Sequence, residues 1–298
     1  MFSNPTILFI QVMNSLSLGM NLFIIAAGLT LIFGVLRIVN FAHGAFYMIG
    51  AYVAFSILQL TGETNTGFFL GVLGAGLVMG LIAFFIERGL LARLYHKDHM
   101  LQLLFTFALV LIIKDVVKMI WGSGQFSIST PPALSGAVNL GISYYPTYML
   151  FLLVTGPIIA IALWYAMERT RWGRIIRAAR LDREMLAALG TDVKLVYSAV
   201  FVIGSALAAI GGALAAPRSA VDPGMDALVI IDCFVIVIIG GLGSLVGSFV
   251  GALILGFLTI FGSFYLQEWV IVAAYVMMVV ILLVRPWGLF GTSEEERH

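Results

Sequence analysis

The chain has 298 residues, of which 61% are apolar and 10% charged, and its net charge is +1. A soluble domain is about a quarter charged and a membrane-spanning helix needs about 20 mostly apolar residues, so the composition excludes a sizeable soluble domain and fits eight or nine spans. Near-neutral charge excludes a nucleic-acid surface, and the single cysteine, Cys233, excludes disulfide frameworks and cysteine metal clusters.

No charged residue precedes Arg37. A cleavable signal peptide carries a positive region before its apolar stretch, so the first apolar segment is expected to remain a membrane element. Apolar segments run over residues 6–34, 42–60, 67–86, 100–121, 147–167, 195–217, 228–242, 245–264 and 269–284. Two are atypical. The first is too long for one straight span and contains Asn14 and Asn21, and the seventh is short, carries Asp232 and ends in Gly240-Gly241-Leu242-Gly243-Ser244. Short or glycine-interrupted segments mark broken or re-entrant helices, which survive in a bilayer only where they line protein or a wet cavity. The expected fold is all-α and polytopic, with one or two such segments, and the whole chain, 1–298, reads as a single transmembrane domain.

Charge placement sets the topology. Eleven of the 31 charges fall between Glu168 and Lys194, with basic residues in excess, which makes that loop cytoplasmic. Counting crossings outward from it gathers 13 of the 16 Lys and Arg on the same side, and nine spans put the N-terminus outside and the C-terminus inside. The outer loops keep Arg218 as their only base, and the uncharged stretch 122–146 reads as an external loop. Small residues repeat at four-residue spacing in Gly67/Gly71, Gly76/Gly80, Gly204/Ala208/Gly212 and Gly243/Gly247/Gly251, a pattern that lets helix backbones approach in lipid.

Paired catalytic chemistry is scarce. No Gly-Lys pair exists for a P-loop. Ser244 lacks a nucleophile elbow, Asp115 and Asp232 sit in unrelated segments rather than as a carboxylate dyad, and His43, His96, His99 and His298 have no metal-ligand spacing. No catalytic residue, metal site or cofactor is assigned to the chain. Lys114, Asp115 and Lys118 read as a pair within one helix at its outer end.

Three regions remain. The turn containing Arg37, Asn40 and His43 either shapes the inner mouth of a pathway or is a junction with Asn40 as N-cap. In the basic loop, Ala178, Leu181, Met185, Ala188 and Leu189 recur at helical spacing, predicting one short amphipathic helix closed by Gly190 that lies on headgroups or docks in a partner's groove. The Gly240–Gly243 cluster breaks a helix about two turns after Asp232, a membrane carboxylate placed near the start of its segment, where it can reach the outer interface.

Together the Asn40-Phe-Ala-His-Gly44 turn, Arg177-Ala-Ala leading to Glu184-Met-Leu-Ala-Ala-Leu-Gly190, Gly240-Gly-Leu-Gly-Ser244 and Arg285-Pro-Trp-Gly-Leu-Phe-Gly291 resemble the membrane permeases of branched-chain amino-acid ABC importers. The resemblance covers essentially the whole chain. Cys233 departs from it, standing where a small residue is expected. The resemblance implies a permease in the inner membrane, with a paralogous permease, two cytosolic ATP-binding subunits that use the ATP, and an extracytoplasmic substrate-binding protein as partners. It implies a pathway near Asn40, His43, Gly44, Asp232, Gly240, Gly241 and Gly243, and ATPase coupling through Arg177, Arg180, Glu184, Met185, Ala187, Ala188, Leu189 and Gly190 in the loop at about 168–194. The pathway is expected to be mostly apolar, with selection of the zwitterionic ends left to the binding protein. Relatives carrying urea, short amides or other small organic solutes are the alternative, followed by an autonomous secondary carrier and by a structural subunit without a pathway.

Overall fold

The computed structural model describes residues 5–95, 97–265 and 267–291; His96, His298 and the charges at 294–297 lie outside them. Nine long helices occupy the positions of the nine apolar segments: α1 (Pro5–Leu36), α2 (His43–Thr61), α3 (Asn65–Gly89), α4 (His99–Trp121), α5 (Thr147–Arg169), α8 (Val193–Ala215), α9 (Met225–Gly240), α10 (Leu245–Tyr265) and α11 (Val270–Val284). Six of the helical stretches are long and apolar enough to cross a membrane, whereas α9 and α11 have only 16 and 15 residues. The basic loop folds as α6 (Arg171–Leu181) and α7 (Arg183–Ala188). The connection expected as an irregular loop carries a small hairpin, β1 (Ala137–Asn139) against β2 (Tyr144–Pro146), with Val138 opposite Tyr145.

Helix α1 is the core of the bundle. From Met20 to Leu36 it is apolar or small almost all round and nearly every residue is buried, the pattern of a helix covered on all faces. It packs against α5, α8, α9 and α10. It is also one unbroken helix of 32 residues, about 48 Å long, which corrects the expectation that so long a segment is interrupted. The two asparagines that suggested a break bond sideways instead: Asn14 Oδ1 accepts from the Tyr145 hydroxyl at 3.0 Å, and Asn21 Nδ2 donates to the Gly211 carbonyl at 3.4 Å. Thr30 donates to Ala26 and lies 2.5 Å from the buried Ser248 hydroxyl on α10.

The connections between helices gather at two ends of the bundle. At one end, residues 37, 180 and 243 touch. At the other, Phe126 pairs with Val221, and Asn65 Oδ1 accepts from the Ala133 N–H. We refer to these as the basic end and the opposite end.

The small-residue repeats are where backbones meet. A Cβ on Gly28 would lie 2.3 Å from the Gly204 carbonyl, one on Gly50 2.1 Å from the Ala209 carbonyl, and one on Gly212 2.0 Å from the Tyr47 carbonyl. Neither partner can retreat, because both are main chain in packed helices. Gly50→Ala is expected to cost about 1–3 kcal/mol, the usual range for overpacking, and to lower the thermal unfolding midpoint in detergent by several degrees. Gly89→Ala, which meets nothing within 4 Å, leaves the midpoint unchanged or slightly higher. Equal midpoints for both variants would refute backbone contact as the packing determinant.

Candidate translocation and coupling site

Helix α2 begins inside the bundle, well short of the end of α1. His43 Nε2 lies 2.9 Å from the carbonyl of Ile25, which is eleven residues before the end of α1 and therefore about 16 Å along its axis. The incoming chain is held there by Thr106 of α4, whose hydroxyl donates to the Val39 carbonyl at 3.5 Å. Asn40 and His43 are both 0% exposed. Asn40 is not the N-cap: Ala42 is, and Asn40 Oδ1 accepts from the Ala42 N–H at 3.1 Å, an Asx turn just outside the helix. Asn40 Nδ2 and His43 Nδ1 have no hydrogen-bond partner, which is uncommon for buried groups.

Helix α9 enters from the opposite end and also starts inside the bundle, beside α2. A Cβ on Gly44 would lie 2.3 Å from the Asp226 carbonyl. Asp226, read from the sequence as an outer-loop acid, is in the first turn of α9, where a carboxylate complements the helix dipole. Its side chain is 4% exposed and pairs with Lys114 Nζ of α4 at 3.0 Å. The expected pairing inside α4 holds for Asp115 and Lys118, at 3.9 Å, while Lys114 reaches across to α9. This ion pair was invisible in sequence because its partners are 112 positions apart. Since α9 starts at Met225, Asp232 lies two turns inside it rather than near its start.

At the basic end, α9 stops at the glycine cluster as predicted. Gly241 and Gly243 have φ of 104° and 82°, the left-handed region that glycine enters without a Cβ penalty. The carbonyls of Ile239 and Gly240 accept from the N–H groups of Leu289 and Phe290 at 2.9 and 3.0 Å. Ser244 caps α10 by accepting from the Gly247 N–H at 3.0 Å. Two of the four sequence motifs are thus one structure, with the Arg285–Gly291 segment closing the C-terminus of α9.

The residues expected to couple to ATPases lie on the same end. The one predicted amphipathic helix is two, because Asp182 leaves the helical conformation and caps α7 by accepting from the N–H groups of Glu184 and Met185, both at 2.9 Å. Gly190, at φ 85°, closes α7 through paired bonds from Gly190 to Ala187 and from Thr191 to Leu186, a Schellman arrangement. Leu186, absent from the predicted apolar row, is the buried anchor. Leu181, Met185 and Leu189 are 78, 60 and 76% exposed, and Glu184, Ala187 and Ala188 are exposed with them. Arg177 pairs with Glu168 at 3.1 Å and donates to the Met167 carbonyl, bracing the α5–α6 elbow. Arg180 donates to the Gly243 carbonyl at 3.4 Å, and its own carbonyl accepts from Arg37 at 3.2 Å. Cavities of about 430 and 550 Å³ flank this region, the first against Arg37, Lys97, Arg180 and Asp182, the second against Arg88, Arg93, Glu184 and Lys194.

The opposite end holds the one base read from the sequence as lying in the outer loops. Arg218, in the turn after α8, is partly buried and within electrostatic reach of Tyr145, Tyr148 and Tyr47. Burial pulls its pKa below the ordinary arginine value, and the three phenols oppose that shift. Tyr145 is pushed up to about 12 by burial, with Arg218 acting against it. Among the described residues no group of three His, Cys, Asp or Glu is placed to hold a metal ion.

The sequence profile described as "Branched-chain amino acid transport system / permease component" matches residues 11–284. The high-affinity branched-chain amino acid transport system permease protein LivH of Escherichia coli K12 is 29% identical over 300 residues, covering 96% of each chain. BraD of Pseudomonas aeruginosa, described in the same words, is 29% identical over 96% of this chain and 97% of its own. A probable LivH from Methanocaldococcus jannaschii is 26% identical over 91% and 89%. Among solved structures, PsaBC from Streptococcus pneumoniae in complex with Fab aligns with a TM-score of 0.50 at 15% identity, over 90% of this chain and 89% of that one, a likeness of fold.

Removing one partner of the Lys114–Asp226 pair strands a buried charge, at a cost of about 3–5 kcal/mol. Lys114→Met is therefore expected to destabilise the protein strongly, and the double variant Lys114→Met/Asp226→Leu to recover most of the loss. Midpoints of thermal unfolding in detergent decide it. Purely additive losses in the double variant would mean that the two side chains are not coupled.

Proposed function

This chain belongs to the branched-chain amino acid transport permease family, and from that premise we propose that it is the membrane subunit of an ABC importer that carries branched-chain amino acids into the cell. ATP is bound and hydrolysed in two cytosolic partner subunits, a second permease completes the pathway, and an extracytoplasmic binding protein delivers the substrate. The basic end faces the cytoplasm and the N-terminus lies outside, in the inner membrane. The chain itself is not an enzyme and needs no cofactor.

The observation that carries this reading is the position of Arg180. It stands at the end of α6, immediately before the exposed α7, and its two hydrogen bonds reach the end of α1 and the α9–α10 loop. A push on α6 and α7 by closing ATPases therefore arrives directly at the elements that border the interior junction. Gly34 of α1 and Gly243 approach within backbone contact at the same place, so the pair moves as a unit. Glycines at 240, 241 and 243 leave the α9–α10 connection without side chains that would resist a change of angle. Inside the bundle, Asn40 and His43 carry unsatisfied polar atoms at the start of α2. A shift of α2 against α9 across Gly44 opens or closes the path, with the His43 Nε2 bond to the Ile25 carbonyl as the tie that limits it. A branched side chain requires only an apolar lining there.

Leu181 at the end of α6, Met185 on α7 and Leu189 at its C-terminus form the docking surface, since all three lie within nine residues of chain and are exposed. Leu189→Asp and Glu184→Lys are expected to reduce co-purification of the ATP-binding subunits at least about tenfold, the effect of losing one anchor in a small interface, with membrane insertion intact. Unchanged co-purification would refute the docking role. Reconstituted vesicles test the whole reading: leucine uptake should require the ATP-binding subunits, and robust uptake without them would sink it.

A further inference from the structure

Four cations at the basic end take no part in the Arg180 contacts. Arg88 lies in the last turn of α3, Arg93 in the short 3₁₀ turn Leu91–Leu94 that follows it, Arg183 at the start of α7 and Lys194 in the first turn of α8. All four are exposed, and all four line the cavity of about 550 Å³. Its remaining walls are largely apolar, from Ala92, Tyr95, Ala187, Val193 and Tyr197. Among the described residues none of the four forms a salt bridge, whereas Lys114, Lys118 and Arg177 each do. Two acids also line the cavity, and neither pairs with a base. Glu87 is 1% exposed and is taken up by hydroxyls: that of Tyr95 donates to its Oε1 at 2.5 Å, and that of Ser198 donates to its Oε2. Glu184 is exposed on α7. Four bases against two acids leave an excess of two positive charges around one space.

The cavity opens onto an apolar face. Arg88 Nε donates to the Ser198 hydroxyl at 3.3 Å, and its guanidinium carbon stands 5.5 Å from the centre of the Phe84 ring. Its side chain therefore joins the cavity to the outer surface of α3. On that surface Leu77, Leu81, Phe84 and Arg88 follow one another at helical spacing, and the three apolar side chains are exposed. Both α3 and α8 belong to stretches long and apolar enough to cross a membrane, so bases in the last turn of one and the first turn of the other lie at headgroup depth, the place that long cationic side chains favour. On α7, Arg183 and Ala187 face the cavity and are opposite Met185 at 100° per residue. A ligand held here leaves Met185 uncovered.

We propose that this cavity is a binding site for the phosphate of an anionic phospholipid, held by Arg88, Arg93, Arg183 and Lys194, with the acyl chains lying along the exposed face of α3. Arginine suits phosphate because its planar fork of donors matches two oxygens, and basic pockets between membrane helices take anionic headgroups. A phosphate between Arg93 and Arg183 ties α7 to the end of α3, so the bound lipid fixes the position of the loop that carries Met185 and Leu189. The site is independent of which solute the protein carries.

The full chain, purified in a neutral detergent, is titrated with phosphatidylglycerol or with phosphatidylcholine of the same chain length, and the thermal unfolding midpoint is followed. Phosphatidylglycerol should raise the midpoint saturably, and phosphatidylcholine should not. In the double variant Arg93→Gln/Lys194→Gln the concentration giving half the effect should rise at least about tenfold, the loss expected for one hydrogen bond to a charged group. Arg93→Lys/Lys194→Arg, which keeps both charges, should stay within about threefold of the unaltered protein, which separates loss of charge from loss of fold. Arg171→Gln/Arg174→Gln removes two exposed bases of α6 that do not line the cavity and should stay within about twofold. The proposal is overturned if the two lipids act alike, if the α6 variant loses as much as the cavity variant, or if the charge-keeping variant does no better than the neutral one. It is overturned too if glycerol phosphate, which has no acyl chains, reproduces the shift at the same concentrations, since the site would then be one for a soluble anion.

Discussion

A bilayer offers no water to backbone N–H and C=O groups, so any helix that starts or stops inside it must find partners in the protein. Two helices here do so. Both α2 and α9 begin within the bundle, from opposite surfaces, and their first turns meet where Gly44 lies against the Asp226 carbonyl. Everything around that meeting supplies what lipid cannot: the Ile25 carbonyl accepts from His43 Nε2, Asn40 takes the Ala42 N–H, and Lys114 neutralises Asp226. Such an arrangement is possible only with a fully surrounded scaffold beside it, which is the role of α1.

The same constraint explains the glycines. Apolar side chains gain nothing by leaving lipid for another apolar helix, so association in a membrane rests on close packing and on the polar contacts that close packing permits. Where α1, α2 and α8 cross, three glycines bring main chain against main chain. At the α9–α10 break the requirement is different, because Gly241 and Gly243 occupy left-handed backbone and the helix end must be capped. The Arg285–Gly291 segment provides that cap, which gives a structural reason for a motif that in the sequence is only a recognisable string.

Charge is distributed according to task. At the basic end it is mostly solvent-facing, on α6 and α7 and along the α3–α4 connection, and the apolar row of Leu181, Met185 and Leu189 is left uncovered among it. Within the bundle, the ion pair between α4 and α9 is shielded, with the Asp226 side chain 4% exposed.

Composition and periodicity alone determined the class of protein, the nine helical segments, the break at Gly240–Gly243 and the concentration of basic residues at one end, because each of these is a local property: about 20 apolar residues make a span, and consecutive glycines end one. The helical character of the basic loop was legible from its apolar spacing, but the break at Asp182 was not, since a capping aspartate and a solvated one look alike in a string of letters. Tertiary structure decided which polar residues are buried and with whom. Depth in the bundle turned Asp226 from a loop acid into half of an ion pair and kept α1 continuous despite Asn14 and Asn21. Those relations depend on contacts across more than a hundred residues of chain, and no spacing rule within a helix or strand encodes them.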